Sequence, residues 1–550
     1  MSIPEKRCDL ILKGGITSGV VYPKLILKCA EKFRFHSLGG TSAGAIAAGL
    51  AAAAEYNRAD GGFERLAELP QELGTQLQTL FQPAPQHKTL FRYLLRGLGW
   101  ANHLANNRPG PFKTAMGLGV AFLMGPFLFA LLGRIGWLGY RSLKNLKRTY
   151  FGLCSGLTQP KTQTLALTDW LNRQLEWVAG RLAHINAELP SKPLTFGDLE
   201  QADLHLKMIT TDLSRQNPIC IPFNHYYAFK PHEMQDLFPD PIVNWLICKG
   251  RKAPNGLVYL PKTADLPVLF AIRLSLSFPI LLAAIPLYQA DHSLRRQKDS
   301  RKRWQRCWLS DGGISSNFPI HLFDAPIPTR PTFGISLEPF HRDRQDPDPQ
   351  KPSDNRIFLP HHAGSGLQRP IHLIQSLPQF ISSILDAARN WQDAQQSILP
   401  GYRERIVHIA LKPQEGGLNL TMSEQTIQNL TALGALAGQK LIDDFDFTDH
   451  RWRRFISTYA AIESAFEDLA ELQNNQEFQA LLNSWQRLSV NKKTWPHTYY
   501  LGQDRTQMII QRMRGLFGLA EQWADIPIRN ERQTCPKPRT SLKFMPQTFE

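Results

Sequence analysis

The pentapeptide Gly40-Thr41-Ser42-Ala43-Gly44 constrains this chain more than any other stretch. It follows a short strand-like segment, residues 34–39, and precedes a run of alanine and glycine from residue 45 to residue 50. A strand, a sharp turn of small residues and an alanine-rich helix predict a nucleophile elbow, in which a strained turn exposes the central serine hydroxyl. Ser42 is therefore the candidate nucleophile. Because Gly-x-Ser-x-Gly is short and also arises by chance, this assignment needs support from the rest of the chain.

A glycine-rich turn lies upstream of the elbow. Residues 9–13 form a short apolar, strand-like segment that leads into Gly14-Gly15-Ile16-Thr17-Ser18-Gly19. Glycines between a strand and a helix leave backbone N–H groups free to point at an anion, as an oxyanion hole requires. Gly14, Gly15 and Gly19 are the candidates for this loop, and an ordinary strand-to-helix turn is the alternative.

An aspartate follows another strand-like segment, residues 307–309, in the sequence Ser310-Asp311-Gly312-Gly313. At the end of a strand and beside two glycines, its carboxylate is able to reach a reacting group without side-chain crowding. By itself an Asp-Gly pair is more often a plain turn.

Together these three stretches resemble the patatin-like phospholipase family. The resemblance covers residues 9 to about 340, apart from an insertion, and continues in three further blocks, at residues 193–199, 209–213 and 273–279. It implies an α/β, three-layer fold with a central mostly parallel sheet, and a Ser-Asp dyad in which Asp311 is the general base for Ser42. Gly40, Gly44, Gly312 and Gly313 support the two motifs. The resemblance implies no histidine, metal or organic cofactor.

The glycine-rich loop departs from the family pattern. The family usually has Gly-Gly-Gly-x-Arg/Lys-Gly, whereas residues 14–19 lack the third glycine and the basic residue. The three remaining glycines keep the backbone freedom that an oxyanion loop needs. The α/β-hydrolases also use Gly-x-Ser-x-Gly, but there several strands precede the elbow and a late histidine is required. Here only one strand-like segment, residues 9–13, precedes the strand that leads into the elbow, and His321 and His408 are the spare histidines.

Composition and charge narrow the partners. The chain has 550 residues, 43% hydrophobic and 20% charged, as in ordinary globular proteins. Its net charge of +16 indicates an anionic partner. No DNA- or RNA-binding signature is visible in the sequence, so we expect a phospholipid surface rather than nucleic acid. The oligomeric state is left open.

Cysteine usage and the N-terminus suggest a compartment. The seven cysteines are an odd number and form no Cys-x-x-Cys motif, which favours reduced thiols in the cytoplasm. Residues 1–7 lack the apolar segment of a secretory signal. We therefore expect a cytoplasmic protein that is peripherally or monotopically associated with a membrane.

The sequence divides into three predicted parts. Residues 1–440 form the acyl hydrolase domain, with a mostly helical apolar insertion at about 62–190; residues 441–530 form a helical C-terminal extension; residues 531–550 form a disordered tail. Residues 341–370, which are proline-rich, are expected to form a loop, and His361-His362 has no spacing of further ligands that predicts a metal site.

Two segments are candidates for membrane contact. Residues 115–133 carry no charge and are interrupted by Gly125-Pro126. A single crossing there would put Ser42 and Asp311 on opposite sides of the bilayer, so a hairpin in one leaflet is expected, with a buried cap helix as the alternative. The basic segment 295–306 is either an anionic headgroup patch or a solvated loop.

The predicted function is a lipid acyl hydrolase that cleaves esters of phospholipids or related lipids through an acyl-serine intermediate. The alternatives are a non-catalytic membrane-associated scaffold or lipid-binding regulator, and a nucleic-acid binder. The headgroup and the acyl position stay open.

Overall fold

The computed structural model describes residues 4–15, 17–76, 78–93, 145–160, 162–223, 226–294, 303–340, 354–360, 365–366, 371, 374, 377–412, 415–416, 419–420, 422–488 and 502–524. The strands are β1 Arg7–Leu12, β2 Arg34–Gly40, β3 Gly152–Cys154, β4 His205–Asp212, β5 Asn217–Ile221, β6 Ala228–Phe229, β7 Arg251–Lys252, β8 Val258–Tyr259, β9 Ile280–Leu282, β10 Ile285–Ala290, β11 Trp304–Asp311, β12 Thr332–Pro339, β13 Ile357–Phe358 and β14 Ile406–Leu411. The α-helices are α1 Tyr22–Lys32, α2 Ala43–Tyr56, α3 Gly62–Gln76, α4 Leu167–Val178, α5 Phe196–Gln201, α6 Pro231–Gln235, α7 Asp240–Lys249, α8 Val268–Ser275, α9 Leu377–Ser397, α10 Glu424–Asp444, α11 Phe447–Gln473, α12 Gln476–Leu488 and α13 Gln503–Ala524.

A twelve-stranded sheet organises the molecule, in the order β13-β14-β12-β1-β2-β4-β11-β10-β6-β8-β7, with β5 paired to β4. The central strands β14, β12, β1, β2 and β4 are parallel. The strands on either side pair antiparallel. The α/β class is therefore confirmed, and the sheet is mixed, with a parallel centre.

Both faces of the sheet centre are covered. Along β1, Cys8, Leu10 and Leu12 belong to the main hydrophobic core, which also contains α1 and α2. Ile11 points to the opposite face and packs with Phe318, Ile320 and Ile406. Successive side chains of a strand alternate between faces, so an apolar run such as β1 requires burial on both.

Two segments contain short strands that the sequence did not indicate. The segment 62–190, which is predicted to be mostly helical, contributes β3, which pairs in parallel with β9. The proline-rich segment 341–370 contains β13, which pairs antiparallel with β14. Both strands are too short to show the alternation of apolar and polar residues by which a strand is identified in a sequence, and their pairing depends on a distant partner.

The described part of the C-terminal region is helical, from α10 to α13. Ser423 caps α10 by accepting a hydrogen bond from the Thr426 N–H, at 3.2 Å, which is the usual role of an N-cap serine. Residues 115–133, 295–302 and 531–550 lie outside the described residues, so the predictions made for them stay predictions. Among the described helices, none is long and apolar enough to cross a membrane.

Candidate active site

Ser42 lies in a strained turn between β2 and α2. Its backbone has φ 56° and ψ −126°, a conformation that L-residues adopt at a cost, and its side chain is buried. The two flanking glycines allow the turn to close. A Cβ at Gly44 would lie 2.2 Å from the Leu12 carbonyl oxygen, and one at Gly40 would lie 2.3 Å from the Gly44 carbonyl oxygen. The predicted strand–elbow–helix is therefore present around Ser42.

Helix α8 fixes the position of the elbow. The Ser42 N–H donates to the Ser275 hydroxyl at 3.1 Å, and that hydroxyl donates to the Ile209 carbonyl at 2.6 Å. Two residues later, Ser277 accepts from the buried guanidinium of Arg273 at 2.6 Å. The block at residues 273–279 thus anchors the elbow to β4, a role that the sequence did not reveal.

Asp311 ends β11 beside the elbow and is buried. Its Oδ1 accepts a hydrogen bond from the Gly313 N–H at 2.7 Å, whereas its Oδ2 has no hydrogen-bond partner of ordinary geometry among the described residues. Burial raises the pKa of Asp311 to about 6, against the lowering effect of the Ser42 hydroxyl, the Gly313 N–H and the more distant Arg389 charge. The Ser42 hydroxyl is thus close enough to act on the carboxyl, with the loose alignment that is common in unliganded enzymes.

The backbone around Asp311 is tightly positioned. The Thr210 hydroxyl donates to the Ser310 carbonyl at 2.7 Å, and the Thr211 hydroxyl donates to the Asp311 carbonyl at 2.9 Å. A Cβ at Gly312 would lie 2.0 Å from the Ile209 carbonyl oxygen, so only glycine fits there. These contacts hold the backbone of Asp311 and of the glycine that follows it against β4.

The glycine-rich loop reaches the same place. Gly14 donates its N–H to the Asn317 carbonyl at 2.9 Å and accepts from the Asn317 amide at 3.4 Å. The Gly14 N–H is therefore occupied, and it is unsuited to an oxyanion hole. The N–H groups of Gly15 and Ala43 have no acceptor among the described residues, and Ala43 begins α2, where the helix dipole favours negative charge.

Gly19 brings the loop and the elbow helix together, because a Cβ there would lie only 3.1 Å from the Ala43 Cβ. Ile16, inside the loop, lies outside the described residues.

A carboxylate on α9 clamps the loop that follows Asp311. Asp393 accepts hydrogen bonds from the N–H groups of Asn317 and Phe318, both at 2.7 Å, and from the Ser316 hydroxyl at 3.2 Å. Burial raises the pKa of Asp393, and these three donors act in the opposite direction. Asp393 and Asn317 were both missed as site residues in the sequence, since the aspartate is far from every motif and only the fold brings it near.

An apolar cavity begins beside the elbow. Its volume is about 870 Å³ including its open mouth, and Gly19 and Ala43 form part of its wall. The rest of the wall is almost entirely aliphatic and aromatic, from α1, α2, α3, α4 and the segment after α8, and includes Ile26, Ile46, Ala47, Leu50, Leu69, Trp170, Leu276 and Phe278. Such a cavity suits a hydrocarbon chain.

The two spare histidines and a group of potential metal-binding side chains make contacts away from Ser42. His408 contacts Glu338 at 2.6 Å, and His321 contacts Gln396 at 3.2 Å. Among the described residues, His36, Asp203 and His205 place potential ligand atoms within 4.8 Å of one another. They lie near the amino ends of β2 and β4, at the opposite end of these strands from Ser42, and Asp203 already pairs with Arg7 at 2.5 Å. This group therefore takes no part in the site around Ser42.

The site thus combines a strained serine, a buried carboxyl group with a raised pKa, backbone N–H groups at a helix start, and an apolar cavity. All lie where the parallel strands β1, β2 and β4 end, the edge at which open α/β sheets usually bind ligands. Chemically, this set is suited to acyl transfer through a serine nucleophile.

Comparison with known proteins adds a relative. No family model matches the chain. The solved structures that match weakly include the type III effector protein ExoU and the heterodimeric ExoU-SpcU complex from the type III secretion system of Pseudomonas aeruginosa. They are 13% and 12% identical, cover 96% and 98% of this chain and 81% and 73% of their own, and have TM-scores of 0.27 and 0.26. Scores this low carry no information about this fold.

A curated protein matches along its whole length. The RpoH suppressor of Rhizobium meliloti (strain 1021) is 32% identical over 646 aligned positions, which span 99% of this chain and 99% of that protein. Its name states no enzymatic activity. Identity at this level over the full length of both chains shows common descent, and the chain therefore belongs to the family of the Rhizobium meliloti RpoH suppressor.

Proposed function

We propose that this protein is a lipid acyl hydrolase of the patatin-like phospholipase type, with Ser42 as nucleophile and Asp311 as general base. The observation that carries the proposal is the strained Ser42 beside a buried carboxyl whose pKa is raised to about 6. A base with a pKa near neutrality takes a proton readily and remains mostly ionised at pH 7. Strain at a nucleophile that the surroundings hold in place is typical of reactive sites.

The reaction is a two-step acyl transfer. Asp311 accepts the Ser42 proton as the hydroxyl oxygen attacks the ester carbonyl, and the N–H groups of Gly15 and Ala43 stabilise the tetrahedral oxyanion. The intermediate collapses to an acyl-serine while Asp311 returns the proton to the leaving alkoxide. Water, deprotonated by Asp311, then attacks the acyl-serine; as the bond from the acyl carbon to the Ser42 oxygen breaks, Asp311 returns the proton to that oxygen and the fatty acid is released. No cofactor is required for these steps.

The cavity supports a substrate with a long acyl chain. Its wall meets the elbow at Ala43, so a chain on the carbonyl attacked by Ser42 enters apolar surroundings directly. Each buried methylene contributes about 0.8 kcal/mol, which gives a clear preference for lipid esters over short ones. The net charge of +16 supports an anionic membrane as the source of the substrate.

Lipid analysis and active-site labelling test the proposal. Purified wild type and Ser42→Ala are incubated with mixed phospholipid vesicles, and released fatty acids and lysolipids are measured by mass spectrometry. We expect products with wild type alone. A fluorophosphonate should label Ser42, as mapped by peptide mass spectrometry, whereas labelling at Ser18 or Ser277 would show that the nucleophile is misplaced. Equal lipid profiles with wild type and Ser42→Ala would favour a non-catalytic lipid-binding scaffold.

A further inference from the structure

Two histidines and an aspartate meet at the amino ends of β2 and β4. His36 lies in β2, His205 begins β4, and Asp203 comes two residues before it. Their potential ligand atoms all lie within 4.8 Å of one another, and the centroids of the two imidazole rings are 4.8 Å apart. Because Ser42 lies at the opposite end of these strands, any role of this group is separate from ester hydrolysis.

A β-bulge in β2 brings His36 to this position. The register between β1 and β2 shifts between Cys8 and Asp9, which makes His36 an extra residue in β2. In a regular strand His36 and Ser37 would point to opposite faces of the sheet. Bulges re-aim side chains and are common beside functional sites. Ser37 pairs with His205 across the two strands, and the bulge lets the His36 ring approach both of them.

The surroundings of His36 direct one ring nitrogen toward the group. Its Nδ1 lies 2.9 Å from the Ser37 hydroxyl and 3.7 Å from Oδ1 of the buried Asp9. Asp9 is itself held by the Arg330 guanidinium at 2.9 Å and by the Thr332 hydroxyl at 3.2 Å. A carboxylate beside Nδ1 favours the tautomer with the proton on that nitrogen, which leaves the Nε2 lone pair free. Metal-binding histidines usually have such a carboxylate behind the ring.

Asp203 presents a carboxylate oxygen to that lone pair. Its Oδ1 lies 3.6 Å from Nε2 of His36, which is too far for a hydrogen bond. Neighbouring ligand atoms on a tetrahedral zinc ion are about 3.4 Å apart, because each lies about 2.0–2.1 Å from the metal. The Arg7 guanidinium contacts the other oxygen of Asp203, Oδ2, and so fixes the carboxylate from its far side. The distance between Oδ1 and Nε2 therefore suits two ligands of one metal ion.

Charge and ligand type select the ion. The carboxylates of Asp203 and Asp9 are already paired with Arg7 and Arg330, respectively. Hard cations such as Mg²⁺ and Ca²⁺ depend on oxygen ligands and carboxylate charge, so this group suits them poorly. Zn²⁺ binds imidazole nitrogen well, and many zinc sites have three protein ligands and an open fourth position. Asp203 and His205 are exposed, so an ion can enter from solvent and keep a water ligand.

We propose that His36, Asp203 and His205 bind Zn²⁺, or a divalent transition metal ion of similar ligand preference, at the amino ends of β2 and β4. The proposal is independent of the lipid hydrolase function inferred above. A bound ion links β2 to β4 and to the turn before it. Because these ligands come together only in the folded chain, binding stabilises the folded state.

Calorimetry tests the site in the full-length protein without an affinity tag. Zn²⁺ is titrated into metal-free protein at about pH 7.5, where an ordinary imidazole is neutral. We expect one ion per chain at the tightest site and no measurable binding of Mg²⁺ under the same conditions. Asp203→Asn and His205→Gln should each weaken Zn²⁺ binding about tenfold or more, since each removes a ligand. The matched control His184→Gln, at an exposed histidine outside the group, should bind within about twofold of wild type.

The fold should tolerate both ligand substitutions. The side chains are exposed, and asparagine adopts the left-handed backbone of Asp203, at φ 58°, as readily as aspartate does. Thermal unfolding gives a second measurement. Zn²⁺ should raise the unfolding temperature of wild type and of His184→Gln, and it should not raise that of the two ligand variants. Zn²⁺ binding that is absent in wild type, unchanged in both ligand variants, or matched by Mg²⁺ would overturn the proposal.

Discussion

Replacing Asp311 by asparagine should stabilise the protein as it inactivates it. Burial raises the pKa of Asp311 from the ordinary 3.8 to about 6. This rise of about 2 in pKa, at about 1.4 kcal/mol per pKa unit, means that the folded state disfavours the ionised carboxyl by about 3 kcal/mol. Asparagine has nearly the same shape and does not ionise, so Asp311→Asn removes this cost.

The effect has a defined dependence on pH. Below the unfolded-state pKa, the carboxyl is protonated in both states and contributes no cost. As pH rises toward 6, the unfolded chain ionises first, so the wild type loses stability relative to Asp311→Asn. Above about pH 7 the full cost of about 3 kcal/mol is present. Burying the asparagine NH₂ group costs about 1–2 kcal/mol at every pH, which leaves the difference between low and high pH unchanged.

Thermal and denaturant unfolding of the two proteins between about pH 4 and pH 8 measures the difference. Asp311→Asn should gain stability over wild type as pH rises, by about 2–3 kcal/mol in total. Asp198→Asn is a control of opposite sign. Burial of Asp198 acts to raise its pKa, but hydrogen bonds from Lys192 and Thr195 outweigh this and lower it, so this variant should lose stability at high pH. Parallel curves for wild type and Asp311→Asn would refute the assigned environment of Asp311.

Three further outcomes are expected. The kcat/KM of the wild type for a soluble ester should rise with pH to a plateau, with a midpoint near the pKa of Asp311, about 6, because the base must be ionised; a flat pH profile would contradict this role. Asp393→Ala should lower kcat about a hundredfold, since it frees the loop at Asn317. Ester turnover measures this loss, and a denaturant unfolding curve of the same variant shows whether it is still folded under the assay conditions. Ala47→Phe should fill the cavity and lower the ratio of medium-chain to short-chain ester hydrolysis about tenfold, and an unchanged ratio would remove the cavity from the acyl site.

The sequence alone predicted the local geometry of the site. Small residues around Ser42, glycines after β1 and glycines after Asp311 impose tight turns by their own stereochemistry, and each turn lies where it was expected. The strands β1, β2 and β11 were also expected, from the strand-like segments at residues 9–13, 34–39 and 307–309. The patatin-like assignment of these motifs and the boundaries of the three parts remain predictions.

Tertiary structure decided what surrounds those turns. The short strands β3 and β13 exist only through pairing with distant strands, which no local pattern encodes. Ser275 holds the elbow at Ser42 from 233 residues away in the sequence. Asp393 holds the loop after Asp311, at Asn317, from 76 residues away. The raised pKa of Asp311 likewise depends on which atoms exclude water around it. Desolvation depends on the assembled fold, so the pKa of the Asp311 carboxyl is set by the tertiary structure and not by the local sequence.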